Sequence, residues 1–182
     1  MVNHSVFEML QHASTRFKNE DTPISSNLSW TGLIFYMNDK EWIVPLIELN
    51  EILALKQMTA IPNVKNWLRG VVNLRGELLT VSDLNCFFYN KTILLSKNNR
   101  IIAIHENGEW TGILIEKLGG LVRVSDEKLV PINLKDFLDT LSPYLSKLVM
   151  VNNKKIPILH LKKIIQSNEY KSINQSNGDA IG

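Results

Sequence analysis

Four polar dipeptides, each set between two short apolar runs, constrain what this chain can fold into more than any other feature. They are Asn38-Asp39, Arg75-Gly76, Asn107-Gly108 and Asn152-Asn153. Asparagine, aspartate and glycine tolerate the positive φ angles that a tight hairpin turn requires. The flanking runs, such as WTGLIFYM, EWIVP, RIIAIHE and EWTGILI, are short and rich in β-branched and aromatic residues. That texture reads as strands. Asn107-Gly108 is the clearest of the hairpin signals. Many short strands with few long helices predict an all-β barrel or sandwich.

Around this frame the chain divides into three parts. Val6, Phe7, Leu10, Ala13 and Phe17 recur at helical spacing, which predicts an amphipathic helix over residues 2–19. Such a helix either packs on the body of the protein or docks a partner. Residues 19–29 are polar and read as a linker, so residues 1–28 form an N-terminal unit ahead of the body at 29–167. Pro45 predicts a strand end or an edge. EILAL is a strand or a helical turn, since periodicity alone does not separate them. Asp83 is placed to cap a short helix, DLNCFF. Lys91 to Asn99 is a connection, LVRVSD continues the sheet, and a long loop with a short helix at 134–141 follows. A last hairpin leads into a helix from about His160. Residues 168–182, rich in Ser, Asn and Gly, predict a mobile tail.

Composition removes several classes of function. Twenty basic against eighteen acidic residues leave a formal charge of +2, too little for an electrostatic nucleic-acid binder. The lone cysteine, Cys86, makes no internal disulfide and supplies no cysteine-rich zinc site. Glu8 and His12 interrupt the N-terminal apolar run, against a secretory signal. No stretch approaches the roughly 20 apolar residues of a membrane span. The expected location is the cytoplasm, with membrane association only through partners.

Chemistry is sparse. His4, His12, His105 and His160 show no metal-ligand spacing, and His105 is expected to face outward or to end a strand. No nucleophile elbow, P-loop or dinucleotide fingerprint occurs. Cys86 sits in apolar LNCFF and reads as a buried inert thiol rather than a nucleophile. Asp83 reads as a cap, and Glu48 and Glu51 as exposed polar positions, rather than as acid–base groups. Trp30, Trp42, Trp67 and Trp110 read as core or interface anchors. No catalytic residue, metal or cofactor is expected.

One segment stands out, IPNVKNWLRGVVNLRGELLTVSDL at residues 61–84. Gly70 and Gly76 bracket a strand carrying Asn73 and Arg75. Arg75 can lock the turn through carbonyls or present its guanidinium to a partner.

The same segment resembles the signature of the CheW family, adaptors that couple chemoreceptors to a histidine kinase. Ile61-Pro62, Gly70, Val71, Asn73, Leu74, Arg75, Gly76, Asp83 and Leu84 match the family pattern in order. EWIVPLIELNEIL, WTGILIEKLGGLVRV and VMVNNKKIPILHLKKII extend the similarity over roughly residues 29–166. Two departures are Thr80-Val81-Ser82, where Pro-Val-Ile is usual, and Glu116, where an Asp is common. The resemblance implies two intertwined five-stranded SH3-like barrels around a continuous core. It implies a CheA-type histidine kinase and a methyl-accepting chemoreceptor tip as partners. It places Leu46, Leu49, Glu51, Gly70, Asn73 and Arg75 at or near the contacts, with Ile102 and Ile113 adding apolar surface from the second barrel. FEMLQHASTRF and WTGLIF further resemble the PilI subfamily of type IV pilus (twitching) systems. A flagellar chemotaxis adaptor is the alternative, and a small-molecule-binding β-barrel the alternative of another class.

Overall fold

A computed structural model describes residues 29–172. The predicted helix at 2–19 and most of the linker after it lie outside the described residues. Each of the four turn dipeptides closes a two-residue hairpin, with φ of 52° and 59° at Asn38-Asp39 and 47° and 63° at Asn152-Asn153. The strands they join are β1 (Ser29–Met37) with β2 (Lys40–Pro45), β4 (Leu68–Leu74) with β5 (Glu77–Asp83), β6 (Arg100–Glu106) with β7 (Glu109–Ile115), and β10 (Leu145–Val151) with β11 (Lys154–Leu159). EILAL resolves as strand β3 (Glu51–Ala54), while β8 (Lys117–Ser125) and the two-residue β9 (Leu129–Val130) complete the sheets. Among the described residues the short helices are α1 (Leu84–Tyr89), α2 (Leu161–Gln166) and α3 (Asn168–Lys171).

The strands form two mixed sheets, ordered β8-β1-β2-β11-β10-β9 and β3-β6-β7-β5-β4. The first is therefore six-stranded, because β9 adds a short edge to β10. The chain begins in the first sheet, builds the whole of the second with β3 to β7, and returns at β8. The first sheet is completed only after the whole of the second has been inserted between its strands β2 and β8, which is the intertwining the resemblance implied.

Why the apolar runs are continuous rather than alternating is clear from the packing. Leu33, Phe35 and Met37 of β1 and Trp42 and Val44 of β2 face one large core. Ile102 and Ile104 of β6 and Ile113 and Ile115 of β7 meet them there from the second sheet, with Leu84, Leu161 and Ile164 from the helices. The intervening residues point the other way. Ile34 and Ile43 enter the interior of the first barrel, and Ile101, Ala103 and Leu114 that of the second. A strand buried on both faces needs apolar residues at successive positions.

The second barrel closes at Thr59, which exchanges backbone hydrogen bonds with Val71 of β4 at 2.9 and 2.8 Å. Gly70 makes this approach possible. It has φ of +135° beside a bulge in β4, and a Cβ there would collide with the Thr59 carbonyl.

Two expectations change. The helix predicted at 134–141 is instead a pair of separate single turns, 3-10 at Leu134–Asp136 and Ser142–Tyr144, because Pro143 and scattered apolar positions support no longer helix. The predicted tail begins too early. Asn168–Lys171 form α3, and Tyr170 is only 7% exposed, stacked on Trp67 at 4.9 Å with its hydroxyl 2.5 Å from Ser82 Oγ. The polar composition of that segment hid one aromatic anchor.

Two measurements follow from these contacts. Gly70→Ala should reduce the unfolding free energy by about 1–3 kcal/mol, as overpacking does, and urea denaturation reads it directly; an unchanged midpoint would refute the closure role. Burial pushes the Tyr170 hydroxyl from its ordinary value near 10 up to about 12. A raised pKa contributes stability that is present below pH 10 and is lost as pH rises through about 12. Alkaline unfolding should therefore steepen across that window in the wild type and less so in Tyr170→Phe.

Candidate functional site

The segment from Pro45 to Arg75 supplies most of the predicted contact residues, and the structure sorts them into three groups. Leu46 and Leu49 flank a single 3-10 turn, Leu46–Glu48, at the crossing from β2 to β3. Each is 8% exposed, while Ile47 between them is 89% exposed. This turn forms one wall of a groove of about 930 Å³ that also involves Trp30, Leu129 and Ile158. Thr31, Asn50, Ser146, Lys147 and His160 give the groove its polar positions. Sequence reasoning named Leu46 and Leu49 but missed Ile47, the one apolar side chain of the three that reaches out. Its signal is the i, i+3 spacing of Leu46 and Leu49, which leaves the intervening position on the opposite face of a 3-10 turn.

Glu48 and Glu51 were expected at exposed positions; both are buried, at 9% and 7%. Each has partners that sequence spacing does not reveal. Glu48 Oε1 accepts from His160 Nδ1 at 2.7 Å, and its Oε2 accepts from the backbone N–H of Lys162 at 3.0 Å. Since a carboxylate only accepts, the His160 proton sits on Nδ1, and Nε2 lies 3.0 Å from Ser146 Oγ. Glu48 thus satisfies a free donor in the first turn of α2 and ties the closing helix to the β2–β3 crossing.

Glu51 receives Arg75. The guanidinium Nη2 lies 3.1 Å from Glu51 Oε2, and the Arg75 side chain is 72% exposed. This contact joins the tip of the β4–β5 hairpin to β3, on opposite edges of the second sheet. Arg75 itself occupies the left-handed region at φ 56°, followed by Gly76 at 94°. Asparagine or glycine would hold that position with less steric cost. The turn is braced by Asn73, whose Oδ1 accepts from the Gly76 N–H at 2.9 Å. Arg75 pairs with the Glu51 carboxylate of the same chain rather than with turn carbonyls. Asn73 and Gly70 act on backbone geometry instead.

Ile102 and Ile113 were expected to offer apolar surface. Both are 0% exposed and face each other across β6 and β7 in the shared core, so they present nothing to a partner in this fold. Ile-rich strands buried on both faces look the same in sequence as strands with one apolar surface.

Asp83 caps α1 as predicted, accepting from the Cys86 N–H at 3.1 Å. Its Oδ2 also accepts from Ile93 N–H at 2.8 Å and from Arg69 Nη1 at 2.9 Å, with the side chain fully buried. Asp83 therefore fastens α1 and the 91–99 connection to β4. Cys86 is buried in α1. His105 is exposed on β6 and packs against Trp110, with ring centroids 4.8 Å apart; His4 and His12 lie outside the described residues. Trp42 and Trp67 are core residues, at 1% and 8% exposure.

The two departures from the family signature also find partners. Ser82, fully buried, donates to the Gly112 carbonyl at 3.2 Å and meets the Tyr170 hydroxyl. Glu116 accepts from Asn85 Nδ2 at 2.6 Å and from the Asp39 N–H at 3.3 Å. The buried Ser82 hydroxyl is thus hydrogen-bonded, as burial requires.

The paired barrels, threaded through each other, expose the Arg75-Gly76 turn at an edge of one barrel and an apolar groove on the other. The CheW-like domain model matches residues 31–169, and the chain belongs to that family, whose members are scaffold adaptors of chemotaxis-type signalling. It is 31% identical to Protein PilI of Pseudomonas aeruginosa over 57% of this chain and 61% of PilI. It is 25% identical to Chemotaxis protein CheW of Klebsiella aerogenes over 75% of this chain and 82% of that protein. The scaffolding protein TtCheW of Thermoanaerobacter tengcongensis shares the fold, with a TM-score of 0.67 at 18% identity over 82% of this chain and 96% of that one.

The two ion pairs should separate cleanly by mutation. Asp83→Ala removes a fully buried carboxylate from the half-buried Arg69 and from the Cys86 and Ile93 N–H groups, and should cost about 3–5 kcal/mol. Arg75→Ala takes a largely exposed guanidinium away from the buried Glu51 carboxylate and should cost less than the Asp83 change, about 1–2 kcal/mol. Chemical denaturation of both variants checks the ranking, and a reversed order would contradict it.

Proposed function

We propose that this chain is a non-catalytic adaptor that joins the cytoplasmic tip of a methyl-accepting chemoreceptor to a CheA-type histidine kinase, in a type IV pilus twitching system. The observation that carries this reading is Arg75. Its side chain is 72% exposed at a turn that Asn73 braces, so beyond its pair with Glu51 the guanidinium has further donors to offer a partner. Leu46, Ile47 and Leu49 supply a second, apolar surface on the other side of the β2–β3 crossing. An adaptor needs two such surfaces. Binding both partners raises their local concentration with no bond-making step, and differential contact with two arrangements of the assembly transmits a signal.

The pilus assignment draws on the 31% identity to PilI; a flagellar adaptor draws on the longer match to the Klebsiella protein. Among the described residues no helix is long and apolar enough to cross a membrane, so placement at a receptor array would come through the receptor. A ligand-binding barrel has less behind it. Both barrel interiors are filled, by residues such as Leu79 and Ile101 in the second and Ile43 and Val149 in the first, each 0% exposed.

Calorimetric titration with a CheA-type kinase from the same genome, full-length and as its isolated CheW-like domain, tests the central claim. Saturable binding is expected, weakened at least tenfold by Arg75→Ala with an unchanged circular dichroism spectrum. No binding to either form, or an Arg75→Ala variant that binds like wild type, would remove the basis of the proposal. Deleting the gene should abolish twitching and spare swimming; the opposite phenotype would assign the flagellar role.

A further inference from the structure

Helix α3 is a single turn held to the body of the protein by one side chain. Asn168, Glu169 and Lys171 are exposed, and Tyr170 alone of its residues is buried. Among the described residues, the other hydrogen bonds of residues 167–172 all stay within residues 164–172. Ser167, between α2 and α3, has extended backbone at φ −68° and ψ 153°, so α3 is a unit separate from α2. Tyr170 therefore enters the body as an inserted group. Its ring stacks on Trp67 at 4.9 Å and meets Phe87 edge-on at 5.9 Å.

Ser82 stands at the floor of this insertion, fully buried. Its hydroxyl hydrogen goes to the Gly112 carbonyl at 3.2 Å, so the Ser82 oxygen is the acceptor for the Tyr170 hydroxyl, 2.5 Å away. Two aromatic walls hold a ring, and one buried oxygen takes a hydrogen from its far end. That combination recognises a neutral phenol. A ring without a hydroxyl leaves the acceptor unmet, and a phenolate has no hydrogen to give. Burial, which pushes the Tyr170 hydroxyl up to about 12, selects the neutral form in the same sense.

We infer that Trp67, Phe87 and Ser82 form a binding socket for a phenolic side chain, with Tyr170 as its removable resident and a tyrosine of a partner protein as the ligand that replaces it. The resident arrives on a turn of polypeptide, so the mouth already admits a backbone, which favours a tyrosine within a chain over a free phenol. One turn tied down by one side chain opens at far lower cost than the strands beneath it. Opening leaves the socket standing, because Ser82 is held by the pairing of β5 with both β4 and β7. The socket shares no residue with the Arg75 turn or the Ile47 groove, and it stands or falls apart from the adaptor reading.

A synthetic peptide of residues 167–172 is the probe, titrated at millimolar concentration into the full-length Tyr170→Ala protein and followed by NMR. Saturable binding is expected, about fivefold weaker for the peptide carrying Tyr170→Phe, the contribution of one net hydrogen bond. Adding Ser82→Ala to the protein should erase that difference. Hydrogen exchange on the wild type needs no variant to fold. The Tyr170, Lys171 and Ser172 amides should exchange about a hundredfold faster than those of β6 and β7, and faster again with the peptide in excess. No binding to a folded Tyr170→Ala protein, equal binding of the two peptides, or exchange in α3 that the peptide leaves unchanged would overturn the inference. So would p-cresol binding as tightly as the tyrosine peptide, which would make the socket a site for small phenols rather than for a partner's side chain.

Discussion

Everything in this molecule hangs on four strands that have no outside. β1 and β2 of one sheet and β6 and β7 of the other face each other across a single core, and each also lines the interior of its own barrel. Burying both faces of a strand removes roughly twice the apolar area that an ordinary half-exposed strand removes, at similar backbone entropy. It also makes the barrels inseparable. Phe35, Trp42, Ile102 and Ile113 would become solvent-facing if either barrel were released, and the threading of the chain, which leaves the first sheet for β3–β7 and then returns, prevents release without unfolding.

A core so continuous has few places where polar groups can enter, and those places are built with care. Glu48, Asp83, Ser82 and Asn99 are all buried, and each bridges elements distant in sequence. Glu48 joins the first crossing to the last helix; Asp83 joins a strand, a helix start and a loop. These contacts supply less net stability than their number suggests, because desolvation offsets much of each charge interaction. Their larger effect is geometric. They fix where α1, α2 and the β2–β3 crossing sit on the apolar core, and so they set the shape of the surfaces on either side of that crossing.

Those surfaces differ in kind. At the β4–β5 tip, a charged side chain stands exposed on a turn stiffened by Asn73 and on a barrel closed through Gly70. Across the β2–β3 crossing, an open apolar groove carries Ile47 at its rim. Rigid mounting suits a scaffold. An adaptor gains nothing from motion within its own body if its task is to hold others at fixed separation, and both surfaces rest on strands whose opposite sides are fully packed.

The turn dipeptides, the all-β texture, the Asp83 cap and the matched 61–84 segment were legible in the sequence, because each rests on chemistry within a few residues: positive φ at asparagine and glycine, a carboxylate three residues ahead of an N–H. What the sequence left undecided was partnership at long range. Ile102 and Ile113 read as candidate surface because an apolar run does not say how many of its faces are covered. Glu48 and Glu51 read as exposed because His160, Lys162 and Arg75 lie far from them along the chain. Tyr170 read as tail because a single aromatic in a polar stretch finds its place only when Trp67 and Ser82 are already assembled. Local backbone preference decided the hairpins; only the meeting of two sheets decided which side chains are core, which carboxylates are structural, and which residues are left to face a partner.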